Sequence, residues 1–228
     1  MSTPKFPGTL PLFEIWALFN ETAALVIEIR SIWPKGIEAN RGVKSRCFDL
    51  KDYPDLGSFR SAVEKHVVEM NQQGFNLYAT LNPLRTGLGS TQTANDRDVV
   101  CRRRLLIDID RDSGKEHPAS DAEIEAARDL ACDIKAHLHS LNWSAPIQLM
   151  SGNGWHLVYP LADLPNTVDV TTSIKDCLGA LKTKFSRNGF SVDTSVSNPS
   201  RVTKLPGTFV RRGSETKDRP YRVARLYE

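Results

Sequence analysis

An α+β fold is predicted for this chain, centred on a lobe of order β-α-β-β-α-β, and three observations predict it. Residues 105–110, Leu-Leu-Ile-Asp-Ile-Asp, form an apolar run that turns acidic at Asp108 and Asp110. Two stripes at helical spacing follow: Ala127, Ala131, Ile134, Leu138 and Leu141, then Val170, Ile174, Cys177, Leu178, Leu181 and Phe185. Short apolar runs lie between and after them, at 147–150 and 155–159, joined by Ser151-Gly152-Asn153-Gly154, and at 191–196. This order is the split βαβ arrangement. Its first and third strands pair at the centre of a mixed or antiparallel sheet, and its fourth lies beside the first. The Asp108 strand is therefore expected between the strands carrying His156 and Asp193.

The elements are justified in chain order. Residues 10–20 read as a short helix, and 25–33 as a strand that stops at Pro34. Phe59, Ala62, Val63, Val67 and Met70 recur at helical spacing, with Gly74 as the C-terminal stop. Residues 75–81 alternate like a strand before Asn82-Pro83. Gly87, Gly89, Ser90, Thr91 and Thr93 predict a mobile loop over 85–98. Residues 103–110 are the strand of the acidic pair. Ser120 and Glu123 have capping-box spacing at the head of the next helix. The second helix ends before Gly189.

A length of 228 residues suits one large domain or two tightly packed lobes. Hydrophobic content of 40% and charged content of 25% exclude a disordered or fibrous chain. No apolar run approaches the roughly 20 residues that span a bilayer, and the first 13 residues lack a secretory pattern. Cys47, Cys101, Cys132 and Cys177 are scattered, which argues against zinc and disulfides and for a cytoplasmic protein. The net charge of +3 is uneven. Eight Lys or Arg against three acidic residues fill 201–228, and Arg102, Arg103 and Arg104 precede the acidic pair. Such cations suit a polyanion, although a solvated basic surface has the same composition.

Strand alternation puts Asp108 and Asp110 on one face, opposite Leu105, Ile107 and Ile109. Two carboxylates so placed repel unless a cation sits between them, and Mg²⁺ or Mn²⁺ prefers such oxygen ligands. A pair of these ions about 3.5–4 Å apart can activate a hydroxyl and stabilise a leaving pyrophosphate. Alternatively, Asp110 only opens the polar turn that follows. The turn from Ser151 through Gly152 and Gly154 can offer backbone N–H groups to an anion, or it is simply a hairpin turn. His156 falls on the face opposite Trp155, Leu157 and Tyr159, where it can donate to a phosphate oxygen. Asp193 can complete the metal ligation from the neighbouring strand. Arg201 and Lys204, before the rigid Pro206-Gly207, can hold two cations toward a triphosphate.

Taken together, these three segments resemble the motifs of the archaeo-eukaryotic primase superfamily, the primase-polymerases, of the type found in phages, plasmids and other mobile elements. The first motif is the apolar strand ending at Asp108-Ile109-Asp110. The second is Ser151-Gly152-Asn153-Gly154-Trp155-His156. The third combines Val192-Asp193, Arg201, Lys204 and Pro206-Gly207-Thr208. The resemblance implies one catalytic domain over 1–228, with an N-terminal αβ lobe at 1–100 packed on an RNA-recognition-like lobe at 101–228. It implies two Mg²⁺ or Mn²⁺ ions on Asp108, Asp110 and Asp193; the zinc-binding module that many relatives carry is a departure, since the scattered cysteines form no zinc site here. Ser151, Gly152, Gly154, His156, Arg201 and Lys204 would bind the nucleotide.

The expected function is DNA-templated nucleotidyl transfer that makes or extends primers on single-stranded DNA, in replication of a mobile element or in DNA repair. Its partners would be template, primer and NTP or dNTP, with a helicase or accessory domain outside this chain and no membrane. Arg85, Arg97, Arg211, Arg212, Arg219 and Arg222 are the candidate DNA contacts. Two other readings use the same residues: a replication initiator with a retired active site, and a metal-dependent phosphodiesterase.

Overall fold

The computed structural model describes residues 12–19 and 25–227. Its elements are β1 (Val26–Ile32), β2 (Val43–Asp49), α1 (Leu56–Gln72), β3 (Asn76–Thr80), β4 (Cys101–Arg111), α2 (Asp121–Ser140), β5 (Ile147–Met150) and β6 (Trp155–Pro165). They continue with α3 (Val168–Phe185), β7 (Phe190–Val192), β8 (Val202–Lys204), β9 (Phe209–Val210), β10 (Arg222–Val223) and β11 (Arg225–Tyr227). Two sheets organise them, a four-stranded one of order β2-β1-β3-β8 and a five-stranded one of order β11-β5-β6-β4-β7. The described part of the expected first helix is a 3-10 helix at Leu12–Leu18; Leu10, Pro11 and Asn20 lie outside the described residues.

In the larger sheet the predicted order holds. β4 pairs antiparallel with β6 on one side, Asp108 opposite His156, and with β7 on the other, Asp110 opposite Ser191. α2 and α3 cover one face. Ile107 and Ile109 pack there with Trp155, Leu157, Ala127, Ile134, Leu178 and Leu181. Burying each such large side chain contributes roughly 1.5–3 kcal/mol, so this face fixes the register. A one-residue slip of β4 would drive Asp108 and Asp110 into that core. In the smaller sheet, α1 lays Phe59, Val63, Val67 and Met70 against Ile27, Ile29, Leu77 and Ala79. Asp55 caps α1, its side chain accepting from Ser58 N.

Four features differ from the sequence reading. β2 was not expected, because Lys44, Ser45 and Arg46 interrupt its apolar alternation; it is an edge strand buried only at its Cys47–Asp49 end. The segment 85–98 is irregular, yet it is tied down. Asp98 takes a salt bridge from Arg85 and a hydrogen bond from Asn95 N, and Cys47 N donates to Ser90 O. The strand expected over 191–196 ends at Val192, because the Asp193 side chain accepts from Ser195 N and starts a 3-10 turn at Thr194–Ser197. Finally, the last residues weave between the sheets. β8 joins the smaller sheet beside β3 and β11 joins the larger beside β5, so the sheets do not divide at residue 100.

The N-terminus of α2 anchors that return. The Glu123 carboxylate completes a capping box with Ser120 and also accepts from Arg111 Nη1 at 3.0 Å and Arg219 Nη1 at 2.7 Å. Burial pushes its carboxyl up, but the Arg219, Ser120 and Arg111 partners outweigh that and hold it down at about 2. A depressed carboxyl stabilises the fold above its unfolded value, and the stability is lost as pH falls toward 2. Glu123→Gln is expected to cost about 1–3 kcal/mol at neutral pH, since it leaves a buried Arg111 without its counter-charge. The variant's loss should shrink in melts run at progressively lower pH.

Candidate active site

A cleft of about 230 Å³ opens between the two sheets. Asn76 and Tyr78 of β3 and Val202 and Lys204 of β8 line one wall, and Leu106, Asp108, Asp110 and His156 line the other. Ser151, Asn153 and Gly154 of the β5–β6 turn, Arg201, Val210 and Arg212 also contribute. The topology explains the gathering. β4 and β6 turn their non-core positions to this side, and β8 pairs with β3 so that Lys204 stands opposite Tyr78.

The acidic wall is partly neutralised. His156 Nε2 lies 3.4 Å from Asp108 Oδ1, while its Nδ1 shares a 2.9 Å hydrogen bond with Thr203 Oγ1. Burial pushes the Asp108 carboxyl up, yet His156, Lys115 and Arg201 more than offset it and hold it below the usual carboxylate range. Asp110 Oδ1 accepts from Arg111 N at 2.8 Å, and its Oδ2 is 3.3 Å from Lys115 Nζ. Asp193 stands next to this pair through its backbone, Asp193 N donating to Asp108 O at 2.8 Å. Its side chain caps the 3-10 turn instead of lining the cleft. Among the described residues no three acidic, His or Cys side chains form a ready-made metal cluster.

The basic wall is the less expected feature. Lys204 is 4% exposed, and its Nζ has no hydrogen-bond partner. It sits 3.7 Å from the centroid of the Tyr78 ring. Burial, reinforced by the charge of Arg212, drives its ammonium well below the usual lysine range, and Asp108 opposes that only in part. Arg212, a second cation of the cleft, likewise has a buried Nη1 without a partner. Leaving such donors unpaired costs free energy, and an anionic ligand would satisfy both.

The glycines of the β5–β6 turn have a packing reason. A Cβ on Gly154 would lie 2.4 Å from Ile109 O, and one on Gly152, at φ +97°, would lie 2.6 Å from Val210 Cβ. The turn thus approaches the backbone of β4 just before Asp110. Gly152 N is engaged by Met150 Sδ at 3.0 Å, and Ser151 N by Gly154 O. Asn153 fixes the turn to the start of α2, its Oδ1 accepting from Ala119 N at 2.9 Å.

The cyanophage S-2L primase-polymerase (PrimPol) AEP domain is 18% identical, with a TM-score of 0.50 over 96% of this chain and 91% of that one. The primase RepB′ is 12% identical, with a TM-score of 0.50 over 95% of this chain and 56% of that one. The chain has the fold of an archaeo-eukaryotic primase catalytic domain. The polymerase domain of Mycobacterium tuberculosis ligase D, solved in complex with DNA, is 15% identical with a TM-score of 0.48 over 88% of this chain and 74% of that one. No protein-family model matches the chain, and no curated protein matches it.

Within this fold the candidate DNA-contacting arginines separate. Arg212 lines the cleft. Arg219 is bound to Glu123 and Pro118 O, Arg222 to Asp121 and Ala119 O, and buried Arg211 to Asn71 O; none of the three lines the cleft. Arg85 is paired with Asp98, whereas Arg97 is exposed on the 3-10 turn Asp96–Asp98. Sequence reasoning missed Asn76, Tyr78 and Asn153. Only Asn153, flanked by the two turn glycines, carried a local signal. No helix among the described residues is long and apolar enough to cross a membrane.

Proposed function

We propose that this chain is a metal-dependent nucleotidyl transferase that makes or extends primers on a single-stranded DNA template. One observation carries the reading: Lys204 Nζ and Arg212 Nη1 are buried without partners in the same cleft as Asp108 and Asp110. That wall calls for a polyanion, and the carboxylates beside it suit a hard divalent cation. A nucleoside triphosphate carrying Mg²⁺ or Mn²⁺ answers both demands, and the fold is one that primase-polymerases use.

Asp108 and Asp110 would supply the oxygen donors for the metal, and Asp193 would join them as a third only by turning its side chain from Ser195 N into the cleft. Bound there, the metal provides Lewis acidity at the 3′-hydroxyl and at the leaving pyrophosphate. Lys204, Arg212 and Arg201 bind the triphosphate and take up charge that builds on it. His156, anchored on Thr203, offers Nε2 to a phosphate oxygen in place of Asp108. Ser151 and Gly154, which line the cleft, hold the phosphates close to β4, while Gly152, its N–H engaged by Met150 Sδ, lets the turn pack against Val210. Exposed Arg97, with Arg85 beside Asp98, is the first candidate for the template backbone.

The experiment is templated incorporation. A primed poly-dT template with Mn²⁺ and each labelled nucleotide in turn should yield extension with the adenine nucleotide and little with the others. Shortening of the template would favour a phosphodiesterase. Template binding without incorporation would favour a retired initiator.

A further inference from the structure

Arg201 reaches the cleft on a chain of hydrogen bonds that begins outside it. Its Nε donates to Asn198 Oδ1 at 2.9 Å and its Nη2 to Ser195 O at 2.6 Å. Asn198 is itself held, because its Nδ2 donates to Asp96 Oδ1 at 3.3 Å and to Ser200 Oγ at 3.2 Å. That single oxygen of Asp96 also accepts from Ser200 N at 3.0 Å and Ser200 Oγ at 2.7 Å. Asp96 comes from the 3-10 turn before β4, about a hundred residues away in sequence. Burial pushes its carboxyl up, but the Ser200 and Asn198 donors and the charge of Arg102 hold it below the usual range, so it is ionised at neutral pH.

An amide side chain can present its oxygen to Arg201 only if its nitrogen is turned the other way. The Asp96 carboxylate enforces that choice, since it accepts from Asn198 Nδ2 and would repel Asn198 Oδ1. We propose that Asp96 is a positioning residue for the nucleotide site: through Asn198 and Ser200 it sets the orientation in which Arg201 meets the triphosphate. Without that brace the Arg201 side chain would keep its bond to Ser195 O but lose the fixed Asn198 Oδ1, and an arginine ordered before binding spends less affinity on its own immobilisation. The segment 85–98 is thereby coupled to the phosphate end of the cleft. This inference rests on the nucleotide reading above.

The test is calorimetric titration of dATP with Mg²⁺ into the full chain, with melting curves on every variant. Asp96→Ala should weaken binding about tenfold, a loss equal to one decade in Kd. Asp96→Asn, which keeps an acceptor but loses the charge assistance, should retain a native melt and lose about threefold. The decisive comparison is the cycle with Arg201→Ala. Asp96→Ala added to Arg201→Ala should weaken dATP no further, because neighbours acting through one group are not additive. If the wild-type chain binds neither dATP nor ATP, the nucleotide reading falls and takes this inference with it. If the wild type binds and both Asp96 variants bind equally well, only the positioning role is overturned. Fully additive losses in the double variant would also overturn it.

Discussion

Asp108→Asn and Asp110→Asn are each expected to abolish nucleotide incorporation, a loss of at least about 10³-fold, while template binding stays close to wild type. Both substitutions keep the size of the side chain and remove one anionic oxygen donor. Their stabilities should diverge. Repulsion between two carboxylates on one face predicts that losing either one relieves strain. Asp108, however, is flanked by His156, Lys115 and Arg201, which hold its carboxyl below the usual range. Removing its charge leaves the cations of the cleft facing one another, so Asp108→Asn should lower the melting temperature in metal-free buffer. Asp110 is about as exposed as Asp108, but among the described residues its partners are Lys115 and a backbone N–H, so Asp110→Asn should melt nearer to wild type. A variant that still polymerises at a tenth of the wild-type rate would contradict the metal assignment.

Lys204→Met carries the second-largest effect, and its two parts have opposite signs. The ammonium is buried, lacks a hydrogen-bond partner and feels the charge of Arg212. Methionine fills similar volume without the desolvation cost, so the variant should be as stable as wild type or more so. Nucleotide use should suffer. A lysine paired with a phosphate only in the bound complex is worth about 2–4 kcal/mol, so kcat/KM for nucleotide should fall about 10²–10³-fold. Stability and activity would then separate in one variant, measured by melting and single-nucleotide insertion. A destabilised variant with normal nucleotide kinetics would mean that Lys204 is a structural cation packed on Tyr78.

The lobe of the larger sheet was legible because long-period signals carry it. Two helical stripes and the alternation of 105–110 predict a sheet whose register sets Asp108 opposite His156, and that register is present. What escaped depends on short, non-local elements. β8 is three residues long, too short for a period, and its partner β3 lies far upstream, so the approach of Lys204 to Tyr78 cannot be read locally. Asp193 follows an apolar strand and reads as a strand residue, but an aspartate two residues before an available backbone N–H is equally good at ending one. The basic C-terminal residues look like one surface. Their partners Asp121 and Glu123 resemble ordinary first-turn acids of a helix, so the spending of Arg219 and Arg222 on α2 appears only in three dimensions.

A triphosphate held between the Asp108–Asp110 pair and the buried Lys204 Nζ and Arg212 Nη1 is the arrangement proposed for the cleft. A crystal structure of the chain with a non-hydrolysable nucleotide and Mn²⁺ tests it most directly. The prediction is triphosphate oxygens within about 3 Å of Lys204 Nζ and Arg212 Nη1, with anomalous Mn²⁺ density on Asp108 and Asp110. A triphosphate bound elsewhere, leaving Lys204 and Arg212 unpaired, would contradict it.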